Sequence, residues 1–179
     1  MVIFAGLDPA GTEKRPTGLA IIKNNIFIFI GKLYRDNEII DKILFYKPVV
    51  LAIDSPLSYS KGYREVDLLM KKLGYKVLPP GWRSMQILIH RSLRIKSILE
   101  KRGVKVIETH PLSALKSSGC KTLDELLAKL NIKLETKNLS KDEKDAVIAS
   151  LVAKFYYENK SYMVKAKDGI IHLLPKICS

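Results

Sequence analysis

The chain has 179 residues, 47% of them hydrophobic and 27% charged, enough for one domain with its own core and too few for two of ordinary size. Those proportions exclude intrinsic disorder, collagen-like repeats and a coiled-coil rod. Lys and Arg total 31 against 18 Asp and Glu, a net charge of +13, which points to a polyanionic partner such as nucleic acid or an anionic membrane surface.

The first residues, MVIFAGLDPAG, carry no basic leader, and no stretch is apolar over the ~18 residues a membrane span needs, so a soluble protein is expected. Val2 to Leu7 is an apolar run ending in Asp8 and followed by the turn-rich PAGTEKRPTG, the pattern of a buried strand feeding a loop. Gly18 to Lys23 and Ile26 to Tyr34 are β-rich and separated by Asn24-Asn25, a pair that tolerates the positive φ of a tight hairpin turn. The first three strands are therefore expected to be antiparallel neighbours. Asp36 to Tyr46 has Ile39, Ile40, Ile43 and Leu44 at helical spacing, and PVVLAID then reads as a buried strand ending in Asp54.

Residues 55–83 mix turn formers with a short helical piece at Val66 to Leu73, which suggests a lid-like insertion over the sheet's edge. Ser84 to Arg102 reads as a long amphipathic helix, with Met85, Leu88, Ile95 and Leu99 on one stripe and His90, Arg94 and Lys101 on another. Gly103 ends it, VKVIE forms a strand ending in Glu108, and THPLSAL turns into further helix. Ser140 and Glu143 form a capping box for a helix through DAVIASLVAKFYYEN, and residues 161–175 read as a C-terminal hairpin turning at Asp168-Gly169. Cys120 and Cys178 form no C-x-x-C pair, which argues against a zinc knuckle or a disulfide framework and for a reduced, cytoplasmic setting.

Three predicted strands end in an acid: Asp8, Asp54 and Glu108. Carboxylates at neighbouring strand ends can converge on one point. On the late helix, positions 142, 145, 149, 152 and 156 share a face, so Asp145 and Asp142 turn toward the packed side. An acid aimed at a core interface is costly without a compensating cation or donor. A strand-end Asp taken singly more often caps a turn; the set together is what a divalent cation needs, with Mg²⁺ or Mn²⁺ the natural occupant of an all-oxygen site.

The order of elements, a hairpin and third strand, a helix, then strands and helices, is similar to the layout of the RNase H-like fold: a mixed α/β sheet with three antiparallel strands, then parallel strands, flanked by helices. The chain also resembles domain of unknown function 429, a family of predicted RNase H-like nucleases. The resemblance lies in GLDPAGTEKRPTGLA at 6–20, AIDSPLS at 52–58, YREVD with Arg64 and Asp67, VIETHPLSALK at 106–116 and KDEKDAVIASLVA at 141–153. It covers nearly the whole chain.

The resemblance implies one RNase H-like domain over residues 1–179 and a metal-dependent nuclease that hydrolyses phosphodiester bonds. It makes Asp8, Asp54 and Asp145 acidic metal ligands, with Glu108 and Asp142 as additional members; Glu108 is alternatively the residue that holds the ETHP turn or the lid. Two cations bridged by Asp8 would activate water and stabilise the leaving oxygen. Lys14, Arg15, Arg64, Arg83, Arg91 and Arg94 would then neutralise phosphates of a nucleic-acid partner. His110 beside Glu108 is either a proton shuttle or a turn-holding residue, and the second is favoured. Two other classes stay open: a phosphotransferase, because sugar-kinase and actin-like domains share this core, and a noncatalytic nucleic-acid-binding protein.

Overall fold

A computed structural model describes residues 1–179. Its elements in chain order are β1 (Ile3–Asp8), β2 (Thr17–Lys23), β3 (Ile26–Leu33), α1 (Asp36–Tyr46), β4 (Val50–Asp54), α2 (Glu65–Lys72), α3 (Arg83–Lys101), β5 (Lys105–Thr109), α4 (Pro111–Ser118), α5 (Leu123–Lys129), α6 (Lys141–Tyr157), β6 (Tyr162–Ala166) and β7 (Gly169–Leu173). The seven strands form one sheet in the order β3-β2-β1-β4-β5-β7-β6. β1, β2 and β3 pair antiparallel, and β4, β5 and β7 continue in parallel from β1. Asn24 and Asn25 make the first hairpin's turn with φ of 51° and 59°, the doubly positive geometry of a tight two-residue connection.

The terminal hairpin has a role that local patterning does not reveal: β7 adds to β5 in parallel through Glu108 and Thr109, so β6 and β7 extend the sheet. α2, from the 55–83 segment, packs against these two strands. Asp168 fixes that contact, its carboxylate accepting from the Glu65 and Val66 N–H groups at the start of α2.

Strand alternation divides the core into two layers. Phe4, Ala20, Val50, Ala52 and Ile107 face α6, whereas Ala5, Leu7, Leu51, Ile53 and Val106 pack with Ile39, Ile43, Ile95 and Leu99 of α1 and α3. α6 is buried on nearly all sides, from Ala146 through Ala153. It lies unusually close to the sheet because two strand positions lack a side chain. A Cβ at Gly6 would stand 2.0 Å from the Ala146 carbonyl oxygen, and one at Gly18 would stand 2.1 Å from that of Asp142.

The cysteines depart from expectation. Cys120 and Cys178 are buried and joined in a disulfide that closes a sequence separation of 58 residues. Bonds from the Ile177 and Cys178 N–H groups to the Ser118 carbonyl hold the tail alongside the end of α4. A spacing this long carries no motif, so only the fold brings the two thiols together. By chain entropy such a crosslink stabilises the protein by about 4 kcal/mol. No helix is long and apolar enough to cross a membrane.

Candidate metal centre

Asp8 and Asp54 are the last residues of adjacent parallel strands, joined in register through Leu7 and Ile53. Asp8 also pairs with Gly18, the residue on which the first turn of α6 rests. The absent Cβ atoms at Gly6 and Gly18 thus let α6 descend until Asp145, in its second turn, reaches the strand ends. Carboxylate oxygens of Asp8, Asp54 and Asp145 all lie within 4.8 Å of one another. The Ser140–Glu143 capping box fixes where α6 begins and hence where Asp145 points.

Three half-buried carboxylates this close repel one another. Burial first, then the charges of Asp54, Asp145 and Asp142, push the Asp8 carboxyl up to about 9. Burial, then the charge of Asp145, raises Asp54 to about 7, while a hydrogen bond with Asp8 acts the other way. The two carboxyls interact, so they titrate as a pair. The one cation bonded to the cluster is Lys141, whose Nζ donates to Asp145 Oδ2 at 2.8 Å while its side chain stays 86% exposed. An all-oxygen donor set with excess negative charge and a single displaceable ammonium suits a hard divalent cation. Sequence reasoning missed Lys141, although its place four residues before Asp145 was open to view.

Glu108 and Asp142 stand outside this trio. In-register neighbours share a face of the sheet, so Asp54 goes with Thr109, and Glu108 goes with Ile53 on the opposite face. Glu108 is instead the floor of a buried ionic cluster. Its oxygens accept from Arg64 Nη2 at 2.6 Å, Arg64 Nη1 at 3.0 Å and the Leu57 N–H at 2.9 Å. Arg64 also donates to both oxygens of Asp67 and to Ser58. Burial raises the Glu108 carboxyl and Arg64 opposes that rise. Of the two roles open to Glu108, it holds the 55–64 segment. Asp142 stands one turn before Asp145 on α6 and adds negative charge felt by Asp8.

The basic residues divide in the same way. Lys14, Arg15 and Arg83 are exposed, and Arg94 is 61% exposed beside Asp36 at 3.6 Å. Arg64 is only 1% exposed and fully engaged within the protein. Arg91 is buried as well: it donates to Asp36, to the carbonyls of Ala10 and Thr12, and to that of Tyr34. It ties the loop after Asp8 to α1 and α3, a structural post rather than a surface contact. His110 precedes α4 with its Nδ1 against Ser113 Oγ at 2.5 Å, a side-chain contact within the first turn of that helix, and burial lowers its pKa.

No family model matches the chain, and no curated protein does. Solved structures do. RuvC of Thermus thermophilus in complex with a Holliday junction substrate superposes with a TM-score of 0.57 at 15% identity, over 89% of this chain and 96% of that one. A second structure of Thermus thermophilus RuvC gives 0.56 at 14% identity, over 88% and 96%. At such identity the likeness speaks for architecture. The chain has the RNase H-like fold, a seven-stranded mixed sheet flanked by helices.

Proposed function

We propose that this protein is a metal-dependent nuclease, hydrolysing phosphodiester bonds of nucleic acid with Mg²⁺ or Mn²⁺ by two-metal-ion catalysis. The observation that carries the proposal is the convergence of Asp8, Asp54 and Asp145 from two strand ends and a helix onto one half-buried point. Asp8, Asp54 and Asp145 would hold the ions, which when bound supply an activated water and stabilise the leaving oxygen. Asp142 strengthens the negative potential, and Glu108 and Arg64 hold the 55–83 segment, the lid in this reading, against the sheet. Lys14, Arg15 and Arg83 offer exposed cations to the phosphate backbone. The architecture shared with RuvC, seen in complex with a Holliday junction substrate, supports a nucleic-acid partner, as does the +13 charge. Membership of the domain of unknown function 429 family belongs to the same proposal and rests on the motifs rather than on a family match; a cytoplasmic setting was expected from unpaired cysteines, and the Cys120–Cys178 disulfide removes that support.

The test is cleavage of labelled DNA and RNA with Mg²⁺ or Mn²⁺ and with chelator, for the native chain and Asp8→Asn. Cleavage should require the metal and vanish in the variant, which keeps shape and removes charge, while nucleic-acid binding in chelator survives. Undiminished cleavage in chelator refutes the proposal.

A further inference from the structure

A cleft of about 210 Å³ opens beside the acids, with Asp8 and Asp54 in its lining. Its composition is not that of a phosphate groove. Val77 and Leu78, from the chain after α2, and Met85 and Leu88, from the first turns of α3, give it apolar walls. Leu78 is 56% exposed, and Trp82 and Ile87 on the same stretch are also exposed, so apolar surface continues from the cleft to its rim. The deeper end is polar, with the Arg64–Glu108 pair and His110. Arg64 and Glu108 are bonded to each other, and His110 engages Ser113 through Nδ1, which leaves Nε2 for a ligand.

We infer that this cleft takes one unstacked nucleobase, so that the substrate of the neighbouring acids is nucleic acid with an unpaired or extruded nucleotide rather than intact duplex. The inference rests on the nuclease reading for the identity of the polymer. The cleft is smaller than the ~300–1,000 Å³ of sites for larger ligands, which restricts it to a single ring system. A flat heteroaromatic ring with a polar edge matches apolar walls and a polar end. A base held inside a duplex is stacked on both faces and cannot enter; one that has left the stack can. Because Asp8 and Asp54 share the cleft with the apolar walls, the extruded base and the scissile phosphodiester belong to the same or the next nucleotide. The protein's excess positive charge supplies sequence-independent attraction for either form of the polymer, so discrimination falls to the cleft.

The experiment is equilibrium binding of the full chain, in chelator, to a labelled duplex and to the same duplex with one extra unpaired nucleotide. The unpaired nucleotide should raise affinity about tenfold, the scale of taking part of a ring out of water against aliphatic walls. Leu78→Ser, at an exposed position that folding tolerates, and Met85→Gln, which keeps volume and charge, should each bring the ratio to within about twofold of one and leave duplex affinity unchanged. A native ratio near one, or variants that weaken both ligands in parallel, overturns the inference. Since the binding is read without metal, a retained preference with no cleavage in Mn²⁺ upholds the base site and refutes the nuclease reading. Metal-dependent cleavage with no binding preference refutes the base site alone.

Discussion

Replacing Gly6 with alanine tests how the acids are brought together. The new methyl carbon would stand 2.0 Å from the Ala146 carbonyl oxygen and 2.3 Å from the Ser150 nitrogen, where ordinary contact begins near 3.4 Å. Both obstructing atoms are helix backbone and cannot rotate away, so α6 must withdraw by about 1.4 Å, the difference between 3.4 and 2.0 Å. Overpacking of this kind costs about 1–3 kcal/mol, and the immovable obstacle places it at the upper end; the relief of glycine's backbone entropy returns about 0.5–1 kcal/mol. A net loss of about 2 kcal/mol should appear as a lower urea midpoint with unchanged slope. Asp145 travels with the helix. Metal sites tolerate about 0.2 Å in ligand distance, so Mn²⁺ affinity by calorimetry should fall at least about tenfold. Gly62→Ala, where the added carbon meets nothing within 4 Å, is the control for both readouts. Native stability and native Mn²⁺ affinity in Gly6→Ala would refute the claim that helix-to-strand contact sets the site.

The metal-free protein should lose stability as pH rises from about 6.5 to 9: over that window the native state holds protons on the Asp8–Asp54 pair that an unfolded chain, with carboxyls near 3.9, has already released. Two of the three histidines, His110 and His172, have lowered native values and contribute their pH dependence below about 6.5, so urea midpoints in chelator at the two pH values report chiefly on the acids; Asp8→Asn should flatten the trend, and a rising midpoint would contradict it. Lys141→Ala removes the ammonium that a cation must displace from Asp145, and should tighten Mn²⁺ binding by up to about fivefold, the scale of an exposed pair; weaker binding would make Lys141 a supporter of the metal rather than its competitor. Glu108→Gln leaves Arg64 short of its buried partner and should cost about 3–5 kcal/mol with faster hydrogen exchange at the Leu57 N–H, while Mn²⁺ affinity stays within about twofold; a large affinity loss at native stability would return Glu108 to the ligand set.

Most of the fold was open to view in the sequence because it rests on local signals. Asn24-Asn25, the spacing of Ile39, Ile40 and Ile43, and the Ser140–Glu143 cap each encode their element within a few residues, and the strand ends at Asp8 and Asp54 follow from where apolar runs stop. What escaped depends on register and distance. Glu108 ends a strand in the same manner as Asp54, but its face is set by pairing with Ile53, which no local pattern announces. Arg64 and Arg91 read as surface cations until their partners arrive from 44 and 55 positions away. The short helix α5 does carry a local signal, the Thr122-x-x-Glu125 cap, which the reading of the sequence passed over; the Cys120–Cys178 crosslink lacks any spacing motif. Gly6 and Gly18 stand in strands where glycine is weakening, and their reason for being there appears only when α6 is laid across them.

The most direct measurement is a crystal of the native protein soaked in MnCl₂ and recorded at the manganese absorption edge. Anomalous density should lie among Asp8, Asp54 and Asp145, about 2 Å from their carboxylate oxygens, with the Lys141 ammonium displaced from Asp145. Density confined to other parts of the surface, with Lys141 still bonded to Asp145 and the three carboxylates unoccupied by metal, would contradict the assignment of this cluster as a metal centre.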